Sequence, residues 1–355
     1  MADTLPPAFS LPPVFADWFA ARGWTPRAHQ LALAEASVSG DSALLIAPTG
    51  GGKTLAGFLG SLIELSQKPR SNTGVPALHT LYISPLKALA ADVERNVTGP
   101  VAEMGLPVRM ETRTGDTPTH VRQRQRRSPP DILLTTPEQL ALLIASDHAA
   151  SFFADLRCVI IDEIHALAPS KRGDLLVLGL ASLAEWAPAC RFIGLSATVR
   201  EPDVLARWLD VRRPADAETS SGVRIIAASG GVKAEVDILI SRERIPWSGH
   251  SGRFAVGEVY EAIRDAKMSL VFVNTRSQAE LLFQELWAAN DENLPIALHH
   301  GSLAREQRQK VEAAMAAGLL KAVVCTSTLD LGIDWGEVDL VIQMGAPKGA
   351  ARLIQ

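Results

Sequence analysis

The sequence predicts an α/β fold in which two doubly wound parallel-sheet domains follow one another, the second of them incomplete. Short runs that are apolar throughout alternate with stretches of helical spacing, which is typical of a parallel sheet covered by helices on both faces. Residues 211–252, interrupted by Pro214 and several glycines, separate the two alternating regions. A chain of 355 residues has room for two domains of ordinary size.

These patterns predict an N-terminal segment at residues 1–30, a first α/β domain at 31–210, a connector at 211–252 and a second α/β domain at 253–355. The predicted strands are apolar runs at residues 42–46, 79–83, 131–135, 158–161 and 192–195, then 269–273, 295–299, 321–325 and 338–342. The connector contains a strand-like run at 223–227, and helices are expected near 277–289 and 303–317.

Composition indicates a soluble, cytoplasmic globular protein. Apolar residues make up 47% of the chain, and no apolar run approaches the roughly 18 residues that a membrane span needs. No secretory signal is recognised, and the cysteines Cys158, Cys190 and Cys325 are expected to be buried thiols rather than disulfide or metal ligands. A net charge of −4 creates no global basic field, so any nucleic-acid site must be local.

Two clusters of side chains are interpreted first as structural. The aromatic residues Phe15, Trp18, Phe19 and Trp24 have near-helical spacing, which predicts a packing face. The basic run at residues 122–127 is predicted to be a solvated helix face, with a binding patch as the alternative.

A glycine-rich turn after the first predicted strand carries the clearest chemical signal. The turn Ala47-Pro-Thr-Gly-Gly-Gly-Lys-Thr54 lies between a strand and a helix, the context that a phosphate-binding loop needs. Its glycines allow the backbone N–H groups to approach a polyphosphate closely at a helix N-terminus. Lys53 is expected to reach the β- and γ-phosphates and Thr54 to ligate Mg²⁺. The strict pattern has glycine in place of Ala47. Polyphosphate contacts are predicted for Thr49, Gly50, Gly51, Gly52, Lys53 and Thr54.

Two carboxylates follow the predicted strand 158–161. Ligands of parallel α/β sheets bind at the carboxyl ends of the strands, so Asp162 is expected to hold Mg²⁺ through water. Glu163 is expected to orient and deprotonate the attacking water, because phosphoryl transfer depends chiefly on positioning and electrostatics.

With these residues in view, the chain resembles the superfamily 2 helicases of the DEXH-box kind, from about residue 20 to its last residue. The stretch Asp162-Glu-Ile-His165 matches the box that names the group, and it adds His165 to the expected catalytic residues. The resemblance implies two RecA-like domains, ATP and Mg²⁺ as cofactors, and Gln30 as the residue that reads adenine through its amide. Ser196 and Thr198, in a Ser-Ala-Thr tripeptide, resemble the motif that couples hydrolysis to domain movement.

Other short polar turns resemble the family's nucleic-acid contacts. These turns offer hydroxyls and backbone N–H groups to a sugar-phosphate backbone and nothing suited to base edges, so sequence-independent binding is expected. Local cap and turn chemistry is the alternative for Thr114 and Thr136. The matching residues are Pro85, Lys87, Thr114, Gly115, Thr136 and Pro137 in the first domain and Asn274, Thr275, Arg276, Gly301, Thr326 and Thr328 in the second. In the motif that contains Thr326, Gly332 and Asp334 are expected on the ATP side.

One family motif is not found. The resemblance implies arginines that reach the γ-phosphate from a helix after Asp334, and Gln355 matches the first residue of that motif. Since such arginines contribute about 10³ to 10⁵ in rate, this chain alone is expected to be a fragment that binds ATP and hydrolyses it poorly.

Within the superfamily, three stretches are most similar to the large helicase-related group, including its bacterial ligase-associated repair branch. They are residues 161–167, 134–138 and 327–335. That resemblance implies a monomeric ATP-dependent DNA helicase that moves 3′ to 5′ on single-stranded or partly duplex DNA, with a DNA ligase or other repair proteins as partners and no membrane. A DEXH-type RNA helicase and a nucleotide-gated nucleic-acid clamp are the alternatives.

Overall fold

The computed structural model describes residues 9–48, 50–67, 77–85, 87–197, 199–213, 221–228, 235–242, 252–326, 329 and 338–346, without the side chains of 87–92, 95, 96 and 305. The chain forms two compact units, Met1–Gly231 and Val232–Gln355. In its described part, no helix is long and apolar enough to cross a membrane.

The first unit is built on a parallel sheet of seven strands. They are β1 (Ala43–Ile46), β2 (Thr80–Ile83), β3 (Met110–Thr112), β4 (Ile132–Thr135), β5 (Cys158–Ile161), β6 (Arg191–Ser196) and β7 (Arg224–Ala227). Their order is β3-β4-β2-β5-β6-β1-β7, and all neighbouring pairs are parallel. This arrangement confirms the predicted α/β class.

Two strands of this sheet differ from the prediction. β3 was not predicted, because its three residues are only half-buried and include Glu111 and Thr112. The run 223–227, predicted within the connector, forms β7 and pairs with β1, Ala43 opposite Arg224. Pairing with a distant strand therefore places part of the expected connector in the first sheet.

Helices cover both faces of this sheet. Alternate strand residues point to opposite faces, so Leu44 packs in one hydrophobic cluster with Phe153, while Leu45 packs in the other with Phe58 and Tyr82. The helices are α1 (Pro13–Ala21), α2 (Ala28–Val38), α3 (Lys53–Gln67), α4 (Lys87–Glu103), α5 (Thr119–Arg127), α6 (Pro137–Ile144), α7 (Ala149–Phe153), α8 (Ile164–Leu167), α9 (Lys171–Trp186) and α10 (Pro202–Leu209).

The N-terminal aromatic residues form the predicted packing face, with one exception. Phe15, Trp18 and Phe19 on α1 are buried. Trp24 lies beyond the end of α1 and is 51% exposed, with its ring edge against Trp18. It therefore covers the surface of the aromatic cluster.

The second unit has a parallel sheet of four described strands. These are β8 (Ser269–Phe272), β9 (Ile296–His299), β10 (Ala322–Cys325) and β11 (Leu340–Gln343), in the order β11-β8-β10-β9. A 3₁₀ turn (Arg253–Ala255) precedes α11 (Val256–Asp265), and α12 (Arg276–Ala288) and α13 (Arg305–Ala316) match the two predicted helices. Cys158, Cys190 and Cys325 are buried, as predicted.

Candidate functional site

The carboxyl ends of the first sheet's strands bring most of the predicted site residues of this unit to one edge. Because all seven strands are parallel, the segments after them emerge on the same side. The glycine-rich turn follows β1, Asp162 follows β5, and Ser196 ends β6. Since β5, β6 and β1 are neighbours, these three segments lie side by side.

The glycine-rich turn has a backbone that only glycine accepts readily. Gly50 and Gly52 have φ of 71° and 72°, in the left-handed region that L side chains rarely adopt. A Cβ on Gly51 would lie 2.7 Å from the Pro48 carbonyl oxygen. The turn runs directly into α3, which begins at Lys53, so backbone N–H groups collect at the positive end of a 15-residue helix. Thr54 is half-buried in its first turn, and Thr49 lies outside the described residues.

Lys53 is buried, and its ammonium group retains N–H donors for a ligand. Its Nζ donates to the Ala47 carbonyl oxygen at 3.0 Å, and the residue is 8% exposed. No ion pair joins it to a carboxylate in the described part of the chain. An ammonium group has three N–H donors, so this cation is suited to an anion entering the turn.

The start of α2 holds the glycine-rich turn by three consecutive carbonyl groups. Arg27 Nη1 donates to Gly50 O at 3.1 Å, and His29 Nε2 to Gly51 O at 2.8 Å. Gln30 Nε2 donates to Gly52 O at 3.4 Å, while its Oε1 accepts from the Arg27 backbone N–H at 2.9 Å. The oxygen and the nitrogen of the Gln30 amide are therefore both hydrogen-bonded within the chain. Binding the edge of an adenine base would require Gln30 to break these bonds and form new ones with the base.

The carboxylates after β5 are held in a buried, strained turn. Asp162 Oδ1 accepts from the Glu163 backbone N–H at 2.9 Å, and Oδ2 accepts from the Tyr82 hydroxyl. Glu163 has a φ of 48°, which is unusual for a residue with a side chain. Burial raises the pKa of Asp162, and burial together with the Asp162 charge raises the pKa of Glu163 to about 7, against the opposing effect of Lys53. A carboxylate with that pKa is suited to accept a proton near neutral pH.

His165 connects Glu163 to the end of β6. Burial and the nearby Lys53 charge lower the pKa of His165 to about 4, so the ring is neutral at pH 7. Its Nδ1 accepts from the Ala197 backbone N–H at 3.3 Å and lies 3.2 Å from Ser196 Oγ. The proton therefore resides on Nε2, which lies 3.3 Å from Glu163 Oε2. Thr198, the other predicted coupling residue, lies outside the described residues.

The residues of the first unit that are predicted to contact a nucleic-acid strand lie at the other half of the same sheet edge, after β2, β4 and β3. Gly115 is exposed, whereas Pro85, Thr136 and Pro137 are buried. Thr114 is 7% exposed, and its hydroxyl accepts from the Asp116 N–H at 3.3 Å, which is local turn chemistry. The Lys87 side chain lies outside the described residues.

The second unit places its predicted contacts after β8, β9 and β10. Arg276 is exposed, and its Nη1 donates to Ser302 Oγ at 2.9 Å, beside exposed Gly301. Asn274 Nδ2 donates to Ala346 O at 2.9 Å. The Thr275 hydroxyl caps α12 by accepting from the Gln278 N–H at 3.3 Å. Thr326 is 9% exposed, and Thr328, Gly332 and Asp334 lie outside the described residues.

Three residues of this site were missed by the motif analysis: Arg27, His29 and Tyr82. Arg27 and His29 flank the Gln30 match without a spacing pattern of their own. Tyr82 carries a phenol within the otherwise apolar run Leu81–Ile83 of β2, and that single polar group was the available signal.

Comparisons with known proteins agree with this geometry. Residues 27–205 match the DEAD/DEAH box helicase family, and residues 255–355 match the helicase conserved C-terminal domain. Over 96% of the chain, 37% of residues are identical to the Lhr helicase/probable uracil glycosylase of Mycolicibacterium smegmatis, and over 100% of the chain, 36% are identical to the Lhr helicase/uracil glycosylase of Escherichia coli. The chain spans 25% and 27% of the lengths of these relatives.

A solved structure shows the same fold with ligands bound. The structure of Mycobacterium smegmatis helicase Lhr bound to ssDNA and AMP-PNP superposes with a TM-score of 0.81 and 35% identity, over 97% of this chain and 45% of that one. DEAD-box helicase Mss116, at 18% identity and a TM-score of 0.79, shares the fold. The geometry of the glycine-rich turn, the buried carboxylate pair and these matches lead to one assignment: the chain belongs to the DEAD/DEAH box helicase family and is similar to the Lhr helicases.

Proposed function

We propose that this chain is the ATP-driven motor of a DNA helicase that moves 3′ to 5′ along a single strand. The observation that carries the proposal is the division of one sheet edge into two halves. The predicted nucleotide contacts follow β1, β5 and β6, and the predicted nucleic-acid contacts follow β2, β3 and β4. The two sets meet where β5 and β2 lie side by side in the sheet, so a change at one set has a short path to the other. The ssDNA and AMP-PNP bound to the similar Lhr structure support DNA and ATP as ligands.

The residues present are suited to ATP with Mg²⁺. The turn at Gly50–Gly52 leaves space that a Cβ at Gly51 would fill, and Lys53 has donors free for the β- and γ-phosphates. Asp162 and Thr54 would hold Mg²⁺ largely through water, which fits an ion that keeps several water ligands. The ion, when bound, neutralises charge on the phosphates. Gln30 would bind adenine, and Glu163 would orient the attacking water and accept its proton.

In this proposal, Glu163, His165 and Ser196 link hydrolysis to movement. The neutral His165 ring has its Nε2 3.3 Å from Glu163 and accepts from the Ala197 N–H through Nδ1, so a change of charge at Glu163 would act on the hydrogen bonds at the end of β6. Translocation requires two conformations with different affinity for the strand, and the two units would alternate in gripping its phosphates.

We place this motor in DNA repair, in the cytoplasm, acting as a monomer with a DNA ligase or other repair proteins as partners. The relative from Escherichia coli combines helicase and uracil glycosylase in its name, which supports a link to the removal of damaged bases. Pull-down of the native protein followed by identification of bound proteins tests this placement. Recovery of only RNA-processing enzymes would contradict it.

The central experiment measures equilibrium binding of a fluorescent ATP analogue and steady-state ATPase, each with and without single-stranded DNA or RNA of the same sequence. Binding of the analogue that Lys53→Ala abolishes is expected, with ATPase that is slow without nucleic acid and is stimulated more by DNA than by RNA. Stronger stimulation by RNA would favour the RNA-helicase alternative. Nucleotide-dependent DNA binding with no ATPase above that of Glu163→Gln would favour a clamp. Duplexes with 3′ or 5′ single-stranded tails then test the direction of movement.

A further inference from the structure

The basic run at residues 122–127 divides into arginines with and without partners. Arg124 Nη2 donates to Glu111 Oε2 at 2.7 Å, and Gln125 Nε2 donates to the same oxygen at 3.0 Å. Arg122 Nη2 donates to the carbonyl oxygens of Thr114 and Gly115, at 3.0 and 2.7 Å. Arg126 is exposed and forms no hydrogen bond or ion pair with the described residues. Only part of the run is therefore used to hold α5 against β3.

Arg113 adds a second cation from the end of β3. It is 3% exposed, and its Nη1 donates to the Arg122 carbonyl oxygen at 3.4 Å. Among the described residues, the Nε atoms of Arg113 and Arg122 are buried and have no hydrogen-bond partner. Burial, together with the charges of Arg126 and Arg122, lowers the pKa of Arg113 to about 10. Arg122 and Arg126 lie four positions apart on α5 and so on one face of that helix, and the charges of both oppose that of Arg113, which is almost fully buried.

The acidic residue Glu111 does not neutralise the cluster formed by Arg113, Arg122 and Arg126. Glu111 is occupied by Arg124, with Arg109 Nε 3.7 Å from its other oxygen. No carboxylate among residues whose side chains are described pairs with Arg113, Arg122 or Arg126. Burying an unpaired charge among like charges is costly, and an anion placed against the cluster would offset that cost.

The position of this arginine cluster indicates which anion would bind to it. Arg113 directly precedes Thr114, and Arg122 holds the carbonyl groups of Thr114 and Gly115, the turn predicted to contact the strand. Guanidinium groups bind phosphate oxygens with charge-assisted hydrogen bonds. We propose that Arg113, Arg122 and Arg126 form a phosphate subsite that binds the nucleic-acid backbone next to the Thr114–Gly115 turn. Arg126 contacts the phosphate, whereas Arg113 and Arg122 supply buried charge and hold the turn in place.

This inference rests on the proposed function, because it names a contact of the same nucleic-acid strand. Each phosphate contact adds to the salt dependence of binding: for a single strand, the slope of log affinity against log salt changes by about 0.7 per phosphate neutralised. A lost phosphate contact therefore has a measurable signature beyond reduced affinity.

The test compares Arg126→Gln with Arg124→Gln, two variants on one helix with the same change of charge. Binding of a fluorescent single-stranded oligodeoxynucleotide is titrated at salt concentrations between about 50 and 200 mM. For Arg126→Gln, the slope is expected to fall by about 0.7, with affinity reduced several-fold. For Arg124→Gln, whose guanidinium is engaged by Glu111, the slope of the unaltered chain is expected.

The outcomes separate the subsite from the wider proposal. An unchanged slope for Arg126→Gln, or an equal fall for both variants, would overturn the subsite while leaving DNA binding by the chain intact. Failure of the unaltered chain to bind single strands would overturn the proposed function and the subsite together. A third variant, Arg122→Lys, keeps the charge and loses the paired bonds to Thr114 and Gly115. It is expected to weaken binding with little change in slope, and a slope that falls as in Arg126→Gln would contradict its positioning role.

Discussion

The hydroxyl of Tyr82 donates a hydrogen bond to Asp162 Oδ2 and thereby joins the two halves of the first sheet's functional edge. Tyr82 lies on β2, and the turn after β2 is predicted to contact nucleic acid, whereas Asp162 follows the neighbouring β5 on the predicted nucleotide side. The Tyr82 ring is fully buried and stacks on Phe58 of α3, with centroids 5.2 Å apart. Burial raises the pKa of Tyr82 well above its usual range, so the phenol is a donor at neutral pH. Asp162 therefore has its orientation set by a rigid partner.

Tyr82→Phe is expected to weaken Mg²⁺ binding with the nucleotide. The substitution removes only the hydroxyl and keeps the stacked ring, so Asp162 loses one of its two hydrogen-bond donors. Loss of such an outer partner lowers metal affinity by about tenfold or more. The measurement is the Mg²⁺ concentration that half-saturates binding of a fluorescent ATP analogue. Tyr260→Phe is the control, because the Tyr260 hydroxyl contacts Asn290 in the second unit. Equal half-saturation in both variants would refute the positioning role of Tyr82.

Gly52→Ala is expected to destabilise the chain more than Gly50→Ala. Both glycines have φ near 71°, which costs a residue with a side chain about 1–2 kcal/mol. A Cβ at Gly50 meets nothing within 4 Å, whereas a Cβ at Gly52 would lie 2.7 Å from Gln30 Nε2. Denaturant unfolding without nucleotide measures both losses.

A double-mutant cycle isolates the clash. In a Gln30→Ala background the excess loss of Gly52→Ala over Gly50→Ala should disappear, because the atom in the way is gone. An excess that persists would show that the cost lies in the backbone alone.

Glu64 is expected to make stability depend on acid pH. Its carboxylate accepts from Arg191 Nη1 at 2.8 Å and from His79 Nε2 at 3.0 Å. Burial opposes ionisation of Glu64, but these partners outweigh it and lower the pKa below its ordinary value of 4.5. The folded state therefore binds fewer protons than the unfolded state. The contribution of Glu64 to the free energy of unfolding is present above about pH 4.5 and is lost as the pH falls through the folded pKa.

Glu64→Gln should remove this acid-pH dependence and lower the free energy of unfolding at pH 7 by about 2 kcal/mol, the typical value of a hydrogen bond to a charged group. Urea unfolding between pH 3 and 7 provides the measurement. Glu35→Gln is the control, since Glu35 pairs with Arg224 at an exposed site where ion pairs contribute little. The same pH profile in Glu64→Gln and in the unaltered chain would be inconsistent with this account.

His165→Ala is expected to reduce the stimulation of ATPase by single-stranded DNA. The substitution removes the ring 3.3 Å from Glu163 and the acceptor for the Ala197 N–H, and coupling residues of this kind contribute about 0.5–2 kcal/mol. The ratio of ATPase with and without DNA should therefore fall by about twofold to thirtyfold, while nucleotide affinity stays nearly constant. His148→Ala, at an exposed position, is the control. A fall in nucleotide affinity with an unchanged ratio would show that His165 acts in binding.

Sequence patterns predicted the elements that depend on local residues. Apolar runs located β1, β5 and β10 to within a residue, because a strand covered on both faces must be apolar throughout. They missed β3, whose three half-buried residues form a strand only by pairing with β4. The glycine-rich turn was predictable because its backbone conformation requires glycine at defined positions.

Contacts between distant segments could not be predicted in the same way. Arg27 and His29 hold the carbonyl groups of Gly50 and Gly51 across 22 or 23 positions of sequence, and Tyr82 reaches Asp162 across 80. Thr275 lies in a motif that predicts a nucleic-acid contact, and the structure adds that its hydroxyl caps α12. A motif identifies residue type and order, whereas the hydrogen-bond partner depends on which helix packs beside it.

The sequence by itself determined the α/β class, the glycine-rich turn with the carboxylate pair after β5, and the family, because these depend on residue type, apolar runs and spacing. Only the tertiary structure decided that α2 hydrogen-bonds to the glycine-rich turn, that His165 stays neutral between Glu163 and Ala197, and that part of the basic run on α5 has no counter-charge among the described residues. These properties depend on burial and on partners far apart along the chain, and packing sets both.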